Sequence, residues 1–219
     1  MTKIIVGLGN PGEKYLKTRH NCGEFYLGKL RNAWSEKDFV EGKNALWLET
    51  KIDELRRKVG VPTSLSKNNK SASGDKVFLI FPSDLMNNSG DSLKKTLSQL
   101  KLKPKPNDVL VIHDDLDIDL GRFKLSFARS SAGHKGVESI IKNLKSDKFW
   151  RLRIGIAPKK KALPRAGSRG GREKILDLLL KRFKPEEEKI LNKNSKKIIE
   201  GIAIWLENPQ KAMSILNSN

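Results

Sequence analysis

An imidazole and an amide stand side by side in Tyr15-Leu-Lys-Thr-Arg-His-Asn21, in a chain with three histidines. Histidine can take a proton near neutral pH, so His20 is a candidate general base. A single histidine is more often structural, and its company decides the matter. His113-Asp-Asp-Leu-Asp117 follows the apolar run Val109 to Ile112, at the place where an α/β sheet gathers ligand-binding groups, and one carboxylate there could orient a histidine. The run Val77 to Phe81 leads into Asp84-Leu-Met-Asn-Asn-Ser-Gly90, and Arg122 to Phe127 leads into Ser131-Ala-Gly-His-Lys-Gly136. Asn87 and Lys135 therefore also fall at strand-to-helix turns. Each has a local alternative: Asn88 or Ser89 as a helix cap, the glycines as turn formers, Lys135 as a solvated charge.

Three other chemistries fit less well. Gly7-Leu-Gly-Asn-Pro-Gly12 has the spacing of a dinucleotide-binding turn, but Glu13 to Gly23 is polar and punctuated where such a site needs a smooth apolar helix. A tight turn presenting Asn10 is the better reading, and no cofactor is expected. Asp115, Asp117 and Asp119 suggest a calcium loop, but Leu120 stands where that loop needs glycine and Ser126 where it needs glutamate, so no metal is expected. Cys22 lies two residues from His20, yet a small buried cysteine is the commoner case. As the only cysteine, it excludes an internal disulfide and a Cys-rich zinc site.

The elements that must position these residues alternate. Lys3 to Leu8, Val77 to Phe81 and Val109 to Ile112 are apolar runs suited to strands covered on both faces. Arg122 to Phe127 and Arg151 to Ile156 alternate with period two, as half-exposed strands do, with their basic side chains on one face. Between them the apolar spacing is helical at Tyr26, Leu30, Ala33 and Trp34, at Leu93, Leu97 and Leu100, and at Val137, Ile140, Ile141 and Leu144. Pro185 followed by three glutamates starts a helix whose apolar face includes Ile198, Ile202 and Trp205, and Pro209 should end it. The expected fold is a single-domain, three-layer α/β/α sandwich around a mixed, mostly parallel twisted sheet. A polar insertion at about 51–75, whose Lys51 to Val59 suits a short amphipathic helix, and a basic mobile loop at about 158–174 interrupt it.

With 219 residues, 37% of them hydrophobic, one packed domain is expected and a disordered tail is excluded. The formal charge of +19 suits a polyanionic partner. No apolar run nears the roughly 20 residues that span a bilayer, and the start is too short for a signal-peptide core, so a cytoplasmic protein without a membrane partner is expected.

Taken together, Ile4 to Gly12, Tyr15 to Asn21, Met86 to Gly90, His113 to Asp117, Gly133 to Gly136 and Arg151 to Gly155 resemble the bacterial peptidyl-tRNA hydrolase family. The resemblance implies an esterase that releases tRNA from peptidyl-tRNA, with His20 as base and Asp114 as its support. It assigns Asn10 to distinguishing blocked from free aminoacyl groups, and Tyr15, Leu85, Asn87, His134 and Lys135 to the substrate. Lys135 replaces the family's usual asparagine and Leu85 its usual aromatic residue. A charged lysine cannot accept a hydrogen bond, so Lys135 is expected to meet an anionic or carbonyl oxygen. An enzyme that accepts many tRNAs must grip phosphates, for which Lys124, Arg151, Arg153, Arg165 and Arg169 are the candidates, serving the acceptor stem and 3′ CCA end. A monomer with no stable protein partner is expected, and a non-catalytic RNA-binding protein of the same fold is the rival reading.

Overall fold

Strands that are apolar on both faces need helices above and below them, and the chain supplies both layers. The computed structural model describes residues 2–60, 75–158 and 171–218. Its sheet has seven strands: β1 (Thr2–Gly7), β2 (Val40–Glu41), β3 (Ala45–Lys51), β4 (Lys76–Pro82), β5 (Val109–Asp119), β6 (Phe123–Phe127) and β7 (Trp150–Ala157), in the order β2-β3-β4-β1-β5-β7-β6. The four central strands are parallel, and antiparallel pairing is confined to the edges. The mixed α/β sandwich expected from the alternation is therefore present.

Period-two geometry divides the core in two. Ile5, Leu79, Leu110 and Ile112 face α1 (Cys22–Trp34), α2 (Ile52–Val59) and α6 (Pro185–Trp205), whereas Ile4, Val6, Ile80 and Val111 face α3 (Ser89–Gln99) and α4 (Lys135–Leu144). Helices α5 (Gly171–Leu180) and α7 (Pro209–Asn217) complete the chain's helical elements among the described residues.

Several boundaries differ from expectation for identifiable reasons. Strand β5 continues to Asp119, so His113 to Asp117 belong to the strand, where exposed Asp117 and Asp119 alternate with half-buried Leu116 and Ile118. Strand β7 lies between β5 and β6, so it is buried on both faces instead of half-exposed. Pro209 does not merely close the preceding helix: it opens α7 as a first-turn residue, where its missing N–H costs nothing. Helix α2 is part of the core, since Ile52 and Leu55 are buried against it, so the segment from residue 51 is not wholly a surface insertion. The loop expected at 158–174 overlaps the start of α5; residues 159–170, like 61–74, lie outside the described residues.

One close approach sets the site. A Cβ on Gly23 would lie 2.3 Å from the Ile112 carbonyl oxygen and 2.4 Å from the Leu8 nitrogen. Only glycine lets the first turn of α1 press onto the end of β1 and the first half of β5, and that contact carries the preceding turn, with His20, to Asp114.

Candidate active site

All three histidines of the chain meet at Asp114. His20 comes from the 3-10 turn Arg19–Asn21, His113 and Asp114 from β5, and His134 from the start of α4. The Asp114 Oδ1 lies 2.9 Å from His20 Nδ1 and 3.0 Å from His134 Nε2. His134 Nδ1 accepts from the backbone amides of Gly136 and Val137, capping α4, so its proton is on Nε2 and is donated to Asp114. A carboxylate only accepts, so His20 Nδ1 donates as well, and the lone pair of His20 is left on Nε2.

The electrostatics follow from burial and company. Burial alone would lower the His20 pKa, but the charge and hydrogen bond of Asp114 override it and hold it above 6.5. Burial likewise opposes the Asp114 charge, and the two imidazoles more than offset this, keeping the carboxyl well below the usual carboxylate range. His113 behaves differently: burial, with His134 beside it, pulls its pKa down to about 3. It is a neutral ring whose Nδ1–H donates to the Asp114 carbonyl at 2.7 Å. Cys22 is buried, and burial with Asp114 and Asp115 nearby pushes its thiol well above the ordinary range, which removes it as a nucleophile.

The amide side of the site is built on Asn10, buried beyond the end of β1. Its Oδ1 accepts from the Met86 amide at 2.8 Å. Its backbone N–H donates to Asn21 Oδ1 at 2.9 Å and its carbonyl accepts from Asn21 Nδ2 at 2.8 Å. With its oxygen committed, Asn10 keeps Nδ2 as the side-chain group available to a ligand. Asn21 was visible in the sequence as the neighbour of His20, but its clamp on Asn10 was not. Leu85 is 51% exposed and Asn87 is exposed, its Nδ2 donating to Asn88 Oδ1 at 3.2 Å. Tyr15 is half-buried under the Lys14 ammonium, 4.9 Å from its ring. Lys135 is exposed and pairs with Glu138 at 3.0 Å. Thus His20, Asp114 and His134 are joined by hydrogen bonds, Lys135 lines the same cavity, and Tyr15, Leu85 and Asn87 are not among the residues lining it.

A cavity of about 470 Å³ opens on the cluster, lined by His20, Asp114, His134, Lys135 and Leu116, with Leu176 and Leu179 of α5 on its far side. The His20 turn is tied to the connection between α5 and α6 by Arg19, whose guanidinium donates to both Glu187 oxygens at 2.7 Å and to the carbonyls of Lys181 and Arg182, and stacks on Phe183. A backbone bridge between Thr18 and Arg182 completes this strut.

The basic candidates separate. Arg151 is only 2% exposed and donates to the carbonyls of Arg129 and Ser130, so it is a structural tie and not a surface contact for phosphate. Burial draws its pKa down to about 10, which leaves it charged at neutral pH. Arg153 donates from Nε to Asp115 at 2.7 Å and stands opposite exposed Lys124 in the β6–β7 register. Arg165 and Arg169 lie outside the described residues.

Ligand atoms of His20, Asp114 and His134 lie within 4.8 Å of one another, a spacing that a metal ion would accept. Protonation argues against it: His134 Nδ1 already accepts two amides, so an ion on Nε2 would need a ring stripped of both protons.

The comparisons with known proteins agree with one another. The family model described as Peptidyl-tRNA hydrolase matches residues 4–219. The chain is 38% identical over 218 residues to a peptidyl-tRNA hydrolase of Aquifex aeolicus, covering 98% of this chain and 96% of that protein. It is 33% identical over 216 residues to one of Desulfitobacterium hafniense, covering 98% and 99%. The crystal structure of peptidyl-tRNA hydrolase from Acinetobacter baumannii superposes with a TM-score of 0.77 at 24% identity, over 99% of this chain and 94% of that one, a likeness of fold.

Proposed function

The chain belongs to the peptidyl-tRNA hydrolase family, a hydrolase that releases tRNA from peptidyl-tRNA, and we propose that His20 is its general base and Asp114 the group that holds and charges it. The observation that carries this reading is the hydrogen bond from His20 Nδ1 to the buried Asp114 carboxylate, which frees Nε2. Nε2 takes a proton from water as the oxygen attacks the ester carbonyl. The tetrahedral intermediate then collapses, and the imidazolium returns the proton to the departing 3′ oxygen of tRNA. The Asp114 charge favours the imidazolium in between. The Asn10 Nδ2 and the Asn87 carboxamide suit the peptide's carbonyls and the attacking water, because an amide both donates and accepts. The rival reading, a non-catalytic RNA binder, gives no reason for a base with its lone pair freed.

The test is release of tRNA from N-acetylaminoacyl-tRNA as a function of pH. Only neutral His20 is active, and Asp114 raises its pKa, so kcat/KM should rise with pH through a midpoint above 6.5. A rate independent of pH across that range would remove His20 as the titrating base.

His134 gains a different role from the one the resemblance implies. It lines the cavity, but both of its ring nitrogens are engaged, one with Asp114 and one in capping α4, which suits a positioning residue better than a substrate contact. Removing its N–H leaves Asp114 a stronger partner for His20, so His134→Ala should lower kcat about tenfold and move the pH midpoint upward. An effect on KM alone would favour substrate contact.

Of the basic candidates among the described residues, Lys124 and Arg153 are placed for phosphates on the β6–β7 side of the cleft, and the acceptor stem with its CCA end would lie there. Lys124→Ala and Arg153→Ala should each raise KM and lower the slope of log KM against log salt by about 1. Arg151→Ala should lower the Tm and leave that slope alone, since it unpairs two carbonyls and frees no phosphate contact.

A further inference from the structure

His20 and Asn21 are consecutive, yet they line different cavities. The second has a volume of about 270 Å³ and none of its apolar walls is used by the chemistry described above. Its floor is Leu27 of α1 and Phe81 of β4, both buried, and its walls are Leu16, Phe25, Phe39 and Leu46. Leu16 is 47% exposed, a large apolar side chain left in water at the cavity's edge.

The order of the strands gives this cavity a direction. Lys124 and Arg153 lie on β6 and β7, Asp114 on β5, Asn10 beyond β1, Leu85 and Asn87 beyond β4, and Leu46 on β3. A substrate with its ester at His20 and its phosphates on the β6–β7 side must send its peptide the other way, over Asn10 and toward β4 and β3. Asn21 joins the two regions: its Nδ2 donates both to the Asn10 carbonyl at 2.8 Å and to Glu24 at 2.6 Å, and Glu24 lines the second cavity.

We propose that this cavity is a subsite for an apolar side chain of the peptidyl group, contributed by a residue upstream of the esterified one. The proposal rests on the hydrolase reading and extends it to the part of the substrate beyond the reacting ester. Burying an apolar side chain among Leu16, Phe25, Phe39 and Leu46 removes both its surface and theirs from water. The Glu24 carboxylate at the same wall disfavours an acidic side chain there. Burial raises the Glu24 pKa, with the Asn21 bond countering, and above that pKa the charge repels.

The experiment uses wild-type enzyme and tRNA charged with N-acetylated peptides ending in glycine, in which the second or third residue from the ester is Leu, Phe, Gly or Asp. N-acetylglycyl-tRNA serves as the substrate without a side chain. At the position that reaches the cavity, kcat/KM should be about tenfold higher for Leu or Phe than for Asp, with Gly between. Leu46→Lys, which removes an apolar wall and places a positive charge there, should bring the Leu-to-Asp ratio to about one. Because the ratio is taken within one protein, a smaller folded fraction cancels. Equal rates for every residue at both positions in the wild type would overturn the subsite, as would a preference unchanged in Leu46→Lys. Failure of the wild type to hydrolyse any of these tRNAs would overturn the hydrolase reading itself, and the subsite with it.

Discussion

His20→Ala is expected to lower kcat for tRNA release from N-acetylaminoacyl-tRNA by about a thousandfold, within the roughly 10²–10⁴ that a positioned general base contributes. The reason is local. Asp114 is buried and aims its oxygen at one nitrogen of His20, Asn10 has its own oxygen committed to Met86, and burial holds the neighbouring His113 ring at a pKa of about 3, a poor base near neutral pH. KM should change little, because the proposed grip on tRNA is through its phosphates, away from the imidazole. Single-turnover release of labelled tRNA separates the two. A variant that keeps more than about a tenth of the wild-type kcat would sink the assignment, provided its thermal unfolding matches the wild type.

Asp114→Asn is expected to cost about a hundredfold in kcat and to move the pH midpoint in the opposite direction from His134→Ala. Asparagine keeps the shape and one accepting oxygen, so both histidines still have a partner, but the negative charge is gone. Two effects act on the His20 pKa: burial lowers it and Asp114 raises it. With the second removed, the midpoint should fall below 6.5, so the variant is slower but reaches its plateau at lower pH. Opposite shifts from two neighbours of one imidazole are difficult to obtain from general damage to the fold. An unchanged or raised midpoint in Asp114→Asn would mean that the titrating group is not His20.

What the sequence reveals depends on whether a residue's partners are near it in the chain. Three central strands, β1, β4 and the first part of β5, are legible because they are covered on both faces and read as apolar runs, whereas β7, equally covered, carries arginines that make it read as half-exposed. The outer part of β5 is hidden, since its aspartates suit a turn as well as the exposed positions of a strand. Helix α5 was lost inside a basic, glycine-rich stretch. His20 and Asp114 stood out by motif, but histidine is not among the usual helix caps, so nothing local marked His134 as one. Arg151 shows the same limit from the other side: charge suggested a surface, and only the carbonyls of Arg129 and Ser130 explain a guanidinium in the interior. The apolar cavity at Leu16 and Phe39 draws on α1, β3 and β4, and no window of sequence contains it.

The strut from Arg19 to Glu187 bridges 168 residues, and it gives the order of synthesis a meaning. The His20 turn leaves the ribosome before the carboxylate that seats it and the carbonyls of Lys181 and Arg182, which belong to segments made much later. Until then Arg19 has no counter-charge and the His20 turn has no backing. A growing copy of this enzyme is itself a peptidyl-tRNA, and the turn that carries its proposed base is seated only after Glu187 has been made.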